Sequence, residues 1–263
     1  MRVFPALLVA ALAVTLTFLV VPVVSIFVEA GPGELLASLD DPSAVDALWL
    51  SLRTTLAALV IIVVIGTPAA YALATRRFRG RSLAITLVEL PLVLPPAAAG
   101  IALLASLGPN GVLGGVVEAT GARLVLETAG VVVALTFVSA PFYLRQAQAA
   151  FESLDPAWLD ASRTLGAGEG RTFARIAVPA AGPGLVAGLA LAWGRALGEF
   201  GATLMFAGSF RGVTQTVPLA IYERLSTDFT GALALSAVLV AVAAALLGSV
   251  KLLAGSAVLG GAR

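Results

Sequence analysis

A chain of 263 residues in which 59% are hydrophobic and 12% charged cannot cover its apolar surface in water, where domains carry about 25% charged residues. Its mean hydropathy of +1.02 instead places most of it in a bilayer, and a net charge of +1 excludes the concentrated basic face that binding nucleic acid demands. With no Cys and no His, disulfides, thiol catalysis, thiolate metal sites, imidazole relays and histidine-based hydrolysis are excluded as well.

Residues 4–28 form an uncharged run of 25 behind Arg2. That is longer than the roughly 7–15 residue apolar region of a cleaved signal peptide, so it reads as a retained first transmembrane helix. Residues 29–46 carry five acids and no base, with Pro and Gly interspersed, the composition of an extramembrane loop. Residues 54–75 give 22 uncharged positions for a second span, enough at about 1.5 Å per residue to cross a core of about 30 Å. Arg76, Arg77, Arg79 and Arg81 close it.

A third span over 82–107 holds Glu89, Pro91, Pro95 and Pro96. Each proline removes a helix donor, a loss that lipid tolerates only where neighbouring protein repairs it, so this span is expected to face other helices. After a Gly-rich loop at 108–121, residues 128–144 make a fourth span closed by Arg145. A fifth follows at 176–206, then a loop at 209–228 and a sixth span at 229–250. Six spans put both termini on one side. With the termini inside, Arg2, Arg76, Arg77, Arg79, Arg81, Arg145, Arg163, Arg171, Arg175, Lys251 and Arg263 are cytoplasmic, against Arg123, Arg211 and Arg224 outside. The positive-inside rule selects that orientation: a multi-pass protein of the cytoplasmic membrane with cytoplasmic termini.

Between the fourth and fifth spans lies a charged, glycine-punctuated island, DPAWLDASRTLGAGEGRTFARIAVP, at 155–179. Asp155 followed by Pro156 is a helix start, the carboxylate capping free amides and the proline fitting the first turn. Gly166 is placed to end that helix in the left-handed conformation. Trp158, Ala161, Ser162 and Leu165 fall on one face at spacings of three and four. A second short helix is expected from about 168 towards 176, ending before Pro179. A helix lying on the bilayer surface is the other reading, but it would need neither Gly166 nor the fixed run to Pro179, and its polar face would be richer in bases.

The island resembles the EAA loop of ABC importer permeases, E-A-A-x3-G-x9-I-x-L-P. Asp160-Ala161-Ser162, Gly166 and Ile176-Ala177-Val178-Pro179 keep its spacing, with Asp160 for Glu and Val178 for Leu. The resemblance implies an all-α integral membrane protein of the type I importer permease fold, with six transmembrane helices and a cytoplasmic coupling-helix loop. That loop would dock into a cleft of the ATPase subunit through Trp158, Leu159, Asp160, Ala161, Ser162, Leu165, Gly166, Ile176 and Pro179. It further implies a first helix and outer loop over 1–46, a permease core over 47–254 with its coupling loop at 152–179, and a cytoplasmic tail over 255–263. A phosphate-binding loop needs G-x-x-x-x-G-K-[ST], and the sole lysine, Lys251, sits in GSVKLL. No cofactor is therefore expected on this chain, and ATP with its Mg would be used by a separate ATPase.

In the fifth span Arg195 and Glu199 stand four apart, on one face of a helix. A charge in hydrocarbon costs from about 2.5 kcal/mol upwards, so the pair is expected to face the bundle interior or a water-filled path. Gly194, Gly198 and Gly201 would allow close helix approach on much the same side. Two readings stay open. One is a salt bridge that fixes packing, also against a second copy of the subunit. The other is an anion path lined by Arg195, Gly198, Glu199, Gly201 and Thr203, in which Glu199 keeps Arg195 from binding too tightly. Glu89 shares the ambiguity, and a place at the cytoplasmic boundary beside the Arg76 to Arg81 cluster is its plainer reading.

The wording GRALGEFGATLMFAG at 194–208, TQTVPLAIY at 214–222, ELPLVLPP at 89–96 and LGPNG at 107–111 is similar to the molybdate and tungstate permeases, with the sulfate and thiosulfate permeases close. That likeness implies a tetrahedral oxyanion as cargo, a second copy of this permease, two ATPase subunits inside and an extracytoplasmic oxyanion-binding protein. From another class, an ion-coupled secondary transporter would use Arg195 and Glu199 as its coupled site. The lack of an evident inverted repeat and the docking-type loop count against it. An intramembrane enzyme fails because Cys, His and suitably paired intramembrane acids are missing.

Overall fold

A computed structural model describes residues 3–260 except 32, 34–36 and 38–39. Arg2, Arg263 and much of the expected outer loop lie outside the described residues. In chain order the helices are α1 (Val3–Glu29), α2 (Pro42–Thr75), α3 (Arg81–Val93), α4 (Pro96–Leu107), α5 (Gly114–Ala119), α6 (Thr128–Glu152), α7 (Pro156–Thr164), α8 (Glu169–Ala180), α9 (Gly182–Leu197), α10 (Gly201–Ala207), α11 (Val217–Arg224) and α12 (Phe229–Gly260). Of these α1, α2, α6 and α12 are long and apolar enough to cross a bilayer, while α3 with α4 and α8 with α9 form pairs bent by 118° and 74°. Six spans result when each pair counts as one.

The bends correct two expectations. The third span is not a kinked helix but a corner at Leu94 and Pro95, because Pro96 cannot donate into the preceding turn and instead starts α4. The short helix expected to stop before Pro179 runs on to Ala180, through a wide turn over Phe173–Ala177 that accommodates the missing proline amide. The bend to α9 comes at Ala181, after which α9 ends at Leu197 rather than continuing as one span to 206.

The expected loop at 29–46 is also shorter, because α2 begins at Pro42. Asp41 caps it, its carboxylate accepting from the Ser43 amide at 2.9 Å. Arg224, at the end of α11, reaches across to the same carboxylate and donates to the Ser43 hydroxyl at 2.7 Å, tying α11 to the start of α2. Burial alone would raise the Asp41 pKa, but the Ser43 amide, Arg224 and the Ser43 hydroxyl together hold it below its ordinary 3.8. A carboxyl depressed in the fold adds stability that is fully present above its unfolded value and is lost as pH falls through the folded one. The detergent-purified protein should therefore lose an Asp41-dependent part of its thermal stability only below about pH 4. Asp41→Asn, which keeps a cap, should remove that part. Identical acid limbs for the two proteins would refute the assignment.

Lipid supplies no hydrophobic drive between helices, so small residues and hydrogen bonds must hold the bundle. They are found at its main contacts, where α6 packs on both α2 and α9. On α2, Thr67 shares a 2.6 Å hydrogen bond with Tyr143 of α6, and a Cβ on Gly66 would lie 3.1 Å from the same ring. On α9, a Cβ on Gly184 would lie 2.4 Å from Ala150 and one on Gly188 3.0 Å from Gln146. A further close approach joins α10 to α4, where a Cβ on Gly100 would lie 2.7 Å from the Ala202 carbonyl oxygen and one on Gly201 2.8 Å from Pro96. By contrast α1 is exposed along its length and packs weakly on α12.

Candidate functional site

The island at 155–179 folds from local rules. Asp155 accepts from the Ala157 amide at 2.9 Å and Pro156 opens α7. Gly166 then takes φ +82°, with the Gly166 amide bonded to Arg163 O and the Ala167 amide to Ser162 O at 2.9 and 3.1 Å, which closes the helix and turns the chain into α8. Along α7, Leu159 points inward and is buried, while Trp158 is 55% and Leu165 87% exposed. Asp160 and Ala161 are exposed beside them. Ser162 leaves the face predicted for it and shares a 3.0 Å hydrogen bond with the buried Thr172 of α8. Ile176 is half-buried and Pro179 is exposed within α8.

What seats α7 on the membrane domain is an aromatic cluster that local sequence patterns do not reveal. Tyr71 near the end of α2 packs edge-on to Phe151 of α6 at 5.2 Å between ring centres, and tilted on Phe173 of α8 at 4.9 Å. Leu159 belongs to the same buried cluster. Ion pairs rim it: Arg76 with Glu169 at 3.1 Å, Arg163 with Glu169 at 3.1 Å, and Arg163 with Asp160 at 3.0 Å. The hydrogen bonds that Arg163 donates to Glu169 and Asp160 hold its guanidinium above its usual pKa. Exposed pairs of this kind are screened by water and add little stability, so they orient the island more than they hold it.

Above it a polar ladder joins α3 to α6. Arg81 pairs with Glu152 at 2.8 Å, Gln148 donates to the same oxygen at 2.8 Å, Arg145 donates to Gln148 at 3.2 Å, and Arg145 pairs with Glu89 at 2.9 Å. Glu89 thus meets Arg145 and not the Arg76 to Arg81 cluster, because a helix carries it about 12 Å beyond Arg81. Positions 145, 148 and 152 fall on one helical face by their spacing, but nothing local to them marks their partners on α3.

The second candidate lies where α9 ends. Glu199 is off the helix, yet it still pairs with Arg195, and its other oxygen accepts from the Ala202 amide at 2.7 Å. The Glu199 side chain is fully buried, whereas that of Arg195 is 26% exposed. The set predicted around this pair divides. Arg195 and Gly198 lie on an open side of α9, while Gly201 is packed on α4 and Thr203 is fully buried, its hydroxyl without a partner among the described residues. Of the three glycines expected at a close approach, only Gly201 makes one. A Cβ on Gly194 would meet nothing within 4 Å, and one on Gly198 only the Gly194 carbonyl oxygen of its own turn at 3.8 Å.

With this geometry in hand, comparison with known proteins is direct. Residues 62–256 match the family described as binding-protein-dependent transport system inner membrane component. The chain is 42% identical over 229 residues to the molybdenum transport system permease protein ModB of Mycobacterium tuberculosis, covering 87% of either chain. It is 35% identical over 214 residues to the sulfate transport system permease protein CysT of Escherichia coli, covering 81% of this chain and 77% of that one. Among solved structures, it is similar to a bacterial ABC transporter involved in the import of the acidic polysaccharide alginate, with a TM-score of 0.75, 18% identity and coverage of 96% and 95%. At that identity the likeness concerns the fold alone.

Proposed function

This chain belongs to the binding-protein-dependent transport system inner membrane component family, and on that premise we propose that it is the permease subunit of an ATP-driven importer of a tetrahedral oxyanion, molybdate or tungstate. It is a transport subunit and not an enzyme, and it is a multi-pass membrane protein. The observation that carries the coupling role is the exposed apolar face of α7. Trp158 on α7 and Leu165 just past its end are 55% and 87% exposed, while Leu159 packs in the buried cluster with the Tyr71, Phe151 and Phe173 rings. A face presented in this way, at the cytoplasmic end favoured by the arginines, suits the cleft of an ATPase subunit. Two ATPases would hold the ATP and Mg, two copies of this chain would form the pathway with their termini in the cytoplasm, and an extracytoplasmic binding protein would deliver the anion. Approach of the two coupling helices on ATP binding would turn the spans outward, and hydrolysis would return them.

The test is uptake into vesicles holding this permease, its ATPase and its binding protein. Radiolabelled molybdate or tungstate should accumulate only with ATP, and excess sulfate should compete weakly. Uptake without ATP or ATPase would overturn the importer reading in favour of a secondary transporter. Stronger uptake of sulfate than of molybdate would move the substrate to the cargo named for the Escherichia coli relative.

A further inference from the structure

Leu191, Gly194 and Arg195 recur at i, i+3 and i+4 and so share one face of α9, which Gly198, at its C-cap, continues. Leu191, Gly194 and Gly198 are exposed on it and Arg195 partly so. The space over the glycines is open, since a Cβ at either would meet no other helix. Arg195 lies about 20 Å along α9 from its cytoplasmic start, at hydrocarbon depth. A guanidinium there is not left against lipid tails, so this face is wet or covered by protein.

Resting on the importer reading, we propose that Arg195, on the open face beside Gly194 and Gly198, is a transient subsite for the tetrahedral oxyanion, and that Glu199 sets how weakly it holds. Among the described residues the one hydrogen bond that Arg195 makes is to Glu199. A guanidinium has five donors in a flat fork, so most are left for a ligand, and the fork matches two oxygens of a tetrahedral anion. A path must bind its cargo well enough to admit it and weakly enough to release it. Bare, Arg195 would trap a dianion. Glu199 opposes that with a negative charge that cannot swing aside, because its other oxygen is held by the Ala202 amide at 2.7 Å. The glycines leave room for an anion larger than chloride to reach the fork.

Glu199→Gln tests the assignment, since it removes the charge but keeps an acceptor for Ala202. In the assembled permease–ATPase complex without binding protein, retention of radiolabelled molybdate or tungstate should rise roughly tenfold or more, with slower ATP-driven turnover. Sulfate should displace the label and chloride should not. Adding Arg195→Gln should abolish the gain. Because the chain has no Cys, Gly194→Cys and Gly198→Cys give an independent measurement that does not depend on the charge variant folding. A charged methanethiosulfonate reagent should modify both in the assembled complex, and molybdate should slow the reaction. Unchanged retention in an assembled Glu199→Gln complex, or cysteines that stay unmodified, would overturn the subsite. If the wild-type complex shows no ATP-driven oxyanion uptake at all, it is the importer reading that fails.

Discussion

Gly166→Leu is expected to abolish ATP-driven uptake while leaving the membrane spans folded. The residue sits at φ +82°, where a non-glycine costs about 1–2 kcal/mol. Nothing lies within 4 Å of a Cβ placed there, so the effect comes through the backbone and not through a clash. To relieve the strain the turn must open, which breaks the Gly166 and Ala167 amide bonds to Arg163 and Ser162 and changes the angle between α7 and α8. Trp158 and Leu165 would then face the ATPase cleft in the wrong direction. We expect the ATPase to be lost in pull-down and uptake to fall at least about tenfold, the factor that 1.4 kcal/mol carries. Gly166→Asn, a residue that tolerates the left-handed region, should keep most of both. Gly166→Ala should behave as the leucine variant does, without its bulk on the docking face. Normal pull-down and uptake from Gly166→Leu would remove the turn from the coupling mechanism.

That turn was readable in the sequence because the rules behind it act over a few residues: Asp155 with Pro156 as a start, Gly166 as a stop, and a helical spacing between them. The six apolar stretches were readable for the same reason, as hydropathy is summed locally. What was hidden depends on residues distant along the chain. Nothing near Tyr71 announces Phe151 and Phe173, yet those rings pack beneath α7. Glu89 had nearby arginines to choose from and took Arg145, because the helix length between them decides the partner and not the separation in sequence. Pro95 and Pro96 announced a disturbed helix but not the neighbour of its second half, α10, which lies so close to α4 that a side chain at Gly100 or Gly201 would clash. The three glycines around Arg195 looked alike in the sequence and differ in the fold, one packed and two open.

Glu199→Ala should be the most damaging single change in the membrane domain. It removes the partner of Arg195 and the acceptor of the Ala202 amide together. Breaking a buried ion pair from one side costs about 3–5 kcal/mol because the surviving charge is left uncompensated; the partial exposure of Arg195 puts this pair at the lower end. An orphaned amide adds about 1–3 kcal/mol. The damage should spread along a defined route. Ala202 anchors the start of α10, α10 lies against α4 at Gly100 and Gly201, and α4 leads back to the corner at Pro95. Detergent-solubilised Glu199→Ala should therefore unfold at a markedly lower temperature and yield little assembled complex. Removing both charges, with Arg195→Leu added to Glu199→Ala, should recover much of the loss, because no unpaired charge remains in the bundle. A Glu199→Ala protein as stable as wild type would mean that water reaches Arg195 freely enough to replace its partner, and the pair would then have no packing role at all. A stable double variant that assembles yet no longer transports would separate the two functions of the site: Glu199 keeps α9 and α10 together, and Arg195 serves the anion.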